Sequence, residues 1–379
     1  MRGYIRKRGK NYQLTIWVGK KPDGRPSRHF ETIRGSKADA QRRLRELLSE
    51  IDRNTYTAPS HMTLAQLLDQ WLDGYCRTKC SMRTQDSYEY LVRCHLVPAM
   101  GHIKLDELQP RTIQNYYGKA CENVSNRTVL HTHRVLSQAL KWAVRQGYTG
   151  KNPAELTDPP TPLYRNMTTL SSAEVSLLLE YAQGNDYYPV IYTAISTGLR
   201  RNEILALRWR DVDLLMASIS VSRVLYKGKG RIEFKEPKTE HSRRRVAMTP
   251  KLALYLREHK ERQGQIMRRP LTLDDLVFCH PDGSVLDPST VSHSFNKIVK
   301  VAGLKVRFHD LRHSCASLML REGIHPKIVS EMLGHSSVAI TLDIYSHVTP
   351  GLQEAAAKSL NEVLPAGLSA ESDMSKVKL

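Results

Sequence analysis

Over the first fifty residues apolar positions recur at every second residue and then change to helical spacing. The two-residue period covers residues 4–8, 12–18 and 28–33 and is clearest where Leu14, Ile16 and Val18 alternate with Gln13, Thr15 and Trp17. Successive side chains of a strand point to opposite faces, so this predicts three antiparallel strands with one face on a core. Turn residues fall between them at Gly9-Lys10-Asn11 and Lys21-Pro22-Asp23-Gly24. Ser36, with Asp39 three residues on, can cap a helix running to about residue 52, whose Ala40, Leu44, Leu47, Leu48 and Ile51 share one side.

From Thr63 the period is 3.6. Leu64, Leu67, Leu68, Trp71 and Leu72 form one stripe, and further helices are predicted at about 82–94, at 110–122 with Pro110 in the first turn, and at 125–146 with Gly147 as the stop. Asp158-Pro159-Pro160-Thr161-Pro162 permits neither helix nor sheet and marks a linker. Beyond it Ser171 and Glu174 form a capping box, and helices are expected through about 208. Ile219, Val221 and Val224, then Ile232 and Phe234, then Val246 and Met248 predict a small sheet between helices. The fold class is therefore multidomain α+β: a small N-terminal three-stranded sheet plus helix (1–57), an all-α domain (62–157), a mixed, mainly α domain with a small β-sheet (165–364), and a tail (365–379) expected to be disordered.

Charge narrows the function. The 57 Lys and Arg against 38 Asp and Glu leave +19, and residues 1–57 alone hold 15 basic against 6 acidic side chains, which favours a polyanionic partner, nucleic acid first. The chain offers no run as long as a membrane-spanning helix, and its basic start lacks the apolar stretch of a signal peptide, so the expected compartment is the cytoplasm, with nucleoid DNA as the partner and no membrane. The six cysteines are scattered and expected to be reduced; Cys76, Cys80, Cys94 and His95 lack the paired spacing of a structural zinc site, so no metal is expected.

Breaking a phosphodiester requires a nucleophile, a proton donor for the leaving oxygen, and cations facing the phosphoryl oxygens. Candidates for all three lie in the last domain, in Thr197-Gly198-Leu199-Arg200-Arg201-Asn202-Glu203, in Pro237-Lys238-Thr239, in Phe308-His309-Asp310-Leu311-Arg312-His313, and in Leu333-Gly334-His335 followed by Tyr345. Each segment alone has an ordinary reading, Arg200 and Glu203 as a surface ion pair, Tyr345 as a core residue. Together and in this order they resemble the boxes of the tyrosine recombinases, the family of phage and conjugative-element integrases.

That resemblance implies a catalytic set of Arg200, Lys238, His309, Arg312, His335 and the nucleophile Tyr345, with Glu203 orienting Arg200. The arginines would face the non-bridging oxygens, Lys238 would protonate the leaving 5′ oxygen, His309 would accept the tyrosine proton, and His335 would hydrogen-bond the phosphate. It further implies cutting and rejoining through a 3′-phosphotyrosine and a Holliday junction to integrate or excise a mobile element, with no cofactor. The sequence has neither a phosphate-binding glycine loop nor an acidic cluster for paired metals. Residues 1–57 resemble the arm-type DNA-binding domain, with Arg6, Arg8, Trp17 and Arg28 as candidate DNA contacts, and 62–157 the helical, SAM-like core-binding domain. Implied partners are double-stranded DNA at core and arm sites, a homotetramer on paired sites in which a helix bearing Leu352, Ala355, Ala356, Leu360 and Val363 packs on a neighbour, and an excisionase or a host DNA-bending protein as candidate accessory factors. A type I topoisomerase, a non-catalytic DNA-binding regulator and a host resolvase are the rival readings.

Overall fold

A computed structural model describes residues 3–20, 26–52, 62–163, 168–228, 231–236, 243–335 and 337–342. The chain divides into two compact units at 164/165.

The first unit opens with β1 (Gly3–Arg8), β2 (Asn11–Lys20) and β3 (Pro26–Ile33), an antiparallel meander in that order. Arg8 pairs with Asn11. The two-residue turn between them needs a positive φ, which Gly9 supplies at 58°. α1 (Lys37–Asp52) starts on the predicted cap: Asp39 N–H donates to Ser36 Oγ at 3.2 Å, and Ser36 N–H donates back to the Asp39 carboxylate at 3.0 Å. Leu14 and Ile16 of the sheet and Ala40 and Leu47 of α1 form a small buried core.

A second core lies among helices α2 (Leu64–Trp71), α3 (Arg77–Lys79), α4 (Met82–Leu91), α5 (Val97–Met100), α6 (Pro110–Asn123) and α7 (Asn126–Arg145). Thr63 and Gln66 exchange bonds at the start of α2, and Leu64, Leu67, Leu68 and Trp71 behind them are wholly buried, each contributing about 1.5–3 kcal/mol. The helix expected at 82–94 continues to Met100, because a wide π turn at Val92–Leu96 joins α4 to α5, as another at Leu72–Cys76 joins α2 to α3. One extra residue per wide turn resets the apolar face, so that Val92, Leu96 and Met100 all stay inside. Pro98 does not stop the helix, because it sits at the start of the stretch that resumes after the turn, where a missing N–H costs little. Gln114 and Asn126 hold the proline-rich segment along this unit: Gln114 exchanges bonds with the backbone of Asp158, and Asn126 Nδ2 donates to the Thr161 carbonyl.

The second unit begins with α8 (Ser172–Ala182) on the Ser171–Glu174 capping box, followed by α9 (Tyr188–Thr197) and the short α10 (Arg201–Ile204). The strands expected as one small sheet form two. β4 (Val212–Asp213), β5 (Ser218–Val221) and β8 (Arg244–Ala247) make one, while β6 (Val224–Gly228) and β7 (Arg231–Lys235) pair as a separate hairpin. The break falls at Ser222 and Arg223, both tied away from any ladder. Ser222 donates to Asp211 at 2.8 Å, and Arg223 donates to the Ala206 carbonyl at 2.7 Å with its guanidinium 4.1 Å from the Phe234 ring centre. α11 (Pro250–Met267), α12 (Pro288–Val301), α13 (Asp310–Arg321) and α14 (Pro326–Leu333) complete the unit. No helix among the described residues is long and apolar enough to cross a membrane, and no cluster of three His, Cys, Asp or Glu among them could hold a metal ion.

α9 ends at Gly198, whose φ of 65° is left-handed; a Cβ there would sit 2.2 Å from Leu333 Cδ2. Gly198→Ala is expected to destabilise the second unit by about 2–4 kcal/mol, combining left-handed strain with overpacking. Urea unfolding of the full chain checks this, and a loss below about 1 kcal/mol would show that the close approach is not a constraint.

Candidate active site

Helix ends deliver most of the predicted site. Gly198 stops α9, and the next two residues turn the chain so that Arg200 stands just before α10. Glu203, one turn into α10, accepts from the Arg200 backbone N–H at 2.9 Å and from Arg200 Nη1 at 2.7 Å. α13 begins after a local lock in which the Asp310 carboxylate accepts from the Arg307 backbone N–H at 2.8 Å and from its guanidinium. This fixes His309 at the mouth of the helix and puts Arg312 on its buried face, where the residue is 3% exposed.

α14 supplies the third element. It ends on Gly334 in the left-handed conformation at φ 66°, with Gly334 N–H donating to the Glu331 carbonyl and His335 N–H to the Ser330 carbonyl, both at 3.1 Å. The three carbonyls that follow are each taken by an arginine from elsewhere in the chain. Arg244 Nε donates to Met332 at 2.7 Å, Arg312 Nη2 to Leu333 at 2.6 Å, and Arg200 Nη2 to Gly334 at 3.2 Å. Arg312 Nη1 also donates to the Gly198 carbonyl at 2.9 Å, closing the end of α9 onto the same point. The negative end of the helix dipole and the unpaired carbonyls thus hold three guanidinium groups together.

Glu203 is the carboxylate among them. It is 2% exposed and takes a fork from Arg244, Nη2 at 2.9 Å and Nη1 at 3.3 Å, besides its two bonds from Arg200. Burial alone would raise its pKa; the bond and charge of Arg244 and the charge of Arg200 outweigh burial and keep it ionised. Burial, then the charge of Arg200, pushes Arg312 down to about 9, still far enough above neutrality to remain charged. Among the described residues three cations surround one anion, which leaves surplus positive charge, and Arg200, with 38% of its side chain exposed, presents that surplus to solvent.

Two imidazoles border the arginines. His335 Nδ1 lies 2.8 Å from the hydroxyl of the fully buried Thr341. Burial and the charges of Arg312 and Arg200 push its pKa down to about 4. His309 packs edge-on against His313 with ring centres 5.2 Å apart. Crowding around its ring, then His313 and Arg312, hold its pKa well below the ordinary value, although the residue keeps an exposed edge. Both rings are therefore neutral at pH 7.

The structure thus brings Arg200, Glu203, His309, Arg312 and His335 to one place. Lys238 and Tyr345 lie outside the described residues, as do the expected C-terminal helix and tail. Sequence reasoning missed Arg244 and Thr341. For Arg244 a signal was available: it shares the inner face of β8 with Val246, 0% exposed, and Met248 just beyond the strand, 6% exposed, at a spacing of two.

The other predicted residues lie on the N-terminal sheet. Arg6, Arg8, Trp17 and Arg28 share the face opposite α1; Trp17 pairs across the strands with Arg28, whose guanidinium is 5.8 Å from the indole ring. Tyr4 packs on Trp17 with ring centres 5.8 Å apart, and the exposed Phe30 stands two strands across from Tyr4 on the same face. Tyr4 and Phe30 join the candidate surface without having been predicted for it.

Comparison with known proteins identifies the family. Residues 168–351 match the phage integrase family, and residues 63–120 match the phage integrase N-terminal SAM-like domain. A tyrosine recombinase XerC-like protein of Caldanaerobacter subterraneus subsp. tengcongensis is 29% identical over 95% of this chain and 98% of its own length. The ICEBs1 integrase of Bacillus subtilis is 27% identical over 75% of this chain and 80% of its own. Among solved structures, the Tn1549 transposon integrase in complex with transposon right-end DNA superposes with a TM-score of 0.69 at 22% identity, covering 80% of this chain and all of that one. A lambda integrase dimer bound to a core site does so with a TM-score of 0.60 at 17% identity, covering 91% and 94%. The chain belongs to the phage integrase family of tyrosine recombinases, enzymes that cut and rejoin DNA.

Proposed function

We propose that this recombinase integrates or excises a mobile element through a 3′-phosphotyrosine and a Holliday junction, with Tyr345 as nucleophile. The observation that carries the reading is the seat made by Arg200, Arg312 and Arg244 around the carboxylate of Glu203, whose surplus positive charge suits a phosphodiester. Tyr345 Oη attacks phosphorus, the bond to the 5′ oxygen breaks, and that oxygen takes its proton from Lys238. The tyrosine proton passes to His309, a neutral base at pH 7. A free phenol has a pKa of about 10, so this transfer and the neighbouring cations are what make the oxygen nucleophilic. If Thr341 donates to His335 Nδ1, the other ring nitrogen carries the hydrogen and is free to donate to a phosphoryl oxygen. The new ester keeps the energy of the old one, so a 5′ hydroxyl from a second strand can displace the tyrosine with no cofactor and no metal.

The domains divide the work. Residues 165–364 are the catalytic domain and 62–157 the core-binding domain. Residues 1–57 are the arm-binding domain, with Arg6, Arg8, Trp17, Arg28, Tyr4 and Phe30 facing the groove. Among the similar solved structures, the Tn1549 transposon integrase is in complex with a circular intermediate DNA and a lambda integrase tetramer is bound to a Holliday junction. These support double-stranded DNA and a homotetramer here. Arm sites besides the core sites, a place in the cytoplasm on nucleoid DNA, and an excisionase and a host DNA-bending protein as accessory factors complete the proposal.

Tyr345→Phe should abolish the covalent adduct on a nicked junction duplex while leaving DNA affinity unchanged. Mass spectrometry of the adduct peptide and a binding titration read this, and an adduct elsewhere would displace Tyr345 from its role. Deleting residues 1–57 should flatten the dependence of DNA affinity on salt, by about 0.9 in log–log slope for each phosphate that the sheet no longer neutralises; an unchanged slope would remove the arm assignment.

Protonation gives a further expectation. His335 titrates near 4 in the fold but near 6.5 when unfolded. Its depressed pKa therefore contributes stability that is complete above pH 6.5 and lost as pH falls from 6.5 towards 4. Urea midpoints of the full chain should drop between pH 7.5 and 5, and His335→Gln should drop less; equal drops would mean that the ring is not held neutral.

A further inference from the structure

We propose that Arg244 is a positioning residue for strand cleavage: it holds Glu203 so that Glu203 aims Arg200, and it ties both to the helix end that precedes His335. The inference rests on the reading of this site as the one that cleaves DNA.

Arg244 is nearly as deeply placed as the residue it grips, with 6% of its side chain exposed against 2% for Glu203. Its fork and Nε engage two parts of the chain at once, both Glu203 oxygens at 2.9 and 3.3 Å and the Met332 carbonyl at 2.7 Å. Glu203 is thereby fixed from two sides. Each of its oxygens accepts one bond from Arg244 and one from Arg200, through Arg200 Nη1 at 2.7 Å and the Arg200 backbone N–H at 2.9 Å. Without Arg244 the carboxylate could be held only by Arg200, and the guanidinium that should face a phosphate would turn inwards to neutralise it. Arg244 thus takes the greater part of the Glu203 charge and leaves Arg200 positive towards solvent. Lysine could replace the charge but not the planar fork that meets two oxygens and a carbonyl together. β8 also begins at Arg244, six residues beyond Lys238 in the chain.

A role through Arg200 and a merely structural role differ in one measurable respect. Single-turnover cleavage of a nicked junction duplex, at saturating enzyme, is compared for the full-length protein, Arg244→Gln, Arg200→Ala and the double variant, with the DNA dissociation constant measured for each. Arg244→Gln should cleave about 10–100-fold more slowly, with DNA affinity within about twofold of the parent. In the Arg200→Ala background the same change should cost less than about threefold, since the group it positions is gone. Should Arg244→Gln not fold, judged by its unfolding transition, Arg244→Lys is put through the same cycle with the same non-additivity expected. Losses that multiply across the two sites, or an Arg244 variant that cleaves at the parental rate, would overturn the proposal. Absence of any adduct with the parent enzyme would instead defeat the cleavage reading beneath it.

Discussion

Three guanidinium groups share the last turn of one helix. The backbone of α14 runs out of its own donors at Met332, Leu333 and Gly334, and Arg244, Arg312 and Arg200 fill those positions from a strand, a second helix and a helix-capping loop. Removing a charge of this kind from water costs on the order of several kcal/mol, and neighbouring like charges add to that cost. The offsetting terms are the helix-end carbonyls, the Gly198 carbonyl and the one buried carboxylate of Glu203. They are enough to hold the cluster but not to neutralise it. On the proposed reading the remaining charge is the reserve that a scissile phosphate completes, so the same surplus that burdens the folded protein stabilises the transition state.

Much of the surrounding structure serves that arrangement. Gly198 and Gly334 are left-handed stops that let α9 and α14 end within reach of each other, with Leu333 packed where a Cβ on Gly198 would be. The Asp310–Arg307 lock sets the start of α13, and the two histidines that border the arginines are kept neutral by packing and by those same charges. The neutral rings avoid adding to a site already rich in positive charge, and His309 keeps a nitrogen lone pair able to take a proton.

Local chemistry was legible in the sequence wherever its physical cause is local. The Ser36–Asp39 and Ser171–Glu174 caps, the alternation of Leu14 and Ile16, and the stripe from Leu64 to Trp71 all appear where spacing put them. Features that depend on what packs from afar were not. The π turns at Leu72–Cys76 and Val92–Leu96 answer to a core assembled from other helices, so the helix expected to end near residue 94 runs on through Pro98. The division of the strands into two sheets turns on Arg223 reaching Ala206 and Phe234. Within the site, Arg200, His309, Arg312 and His335 could be named from ordered motifs, whereas Arg244 sits in a run of three arginines whose middle member is inward only once the register of β8 against β5 is known.

Whether the arginine cluster exists to face phosphate charge can be decided by removing that charge from the DNA. A nicked junction duplex is made with a neutral methylphosphonate at the scissile position, and cleavage by the parent enzyme and by Arg200→Ala is compared with cleavage of the ordinary phosphodiester. The expected result is a large gap between the two enzymes on the phosphodiester, and a gap at least about tenfold smaller on the methylphosphonate, because an electrostatic partner has been deleted from one side of the interaction. An equal gap on both substrates would refute the electrostatic role and would mean that Arg200 supports the fold of the site rather than the charge of the reacting group.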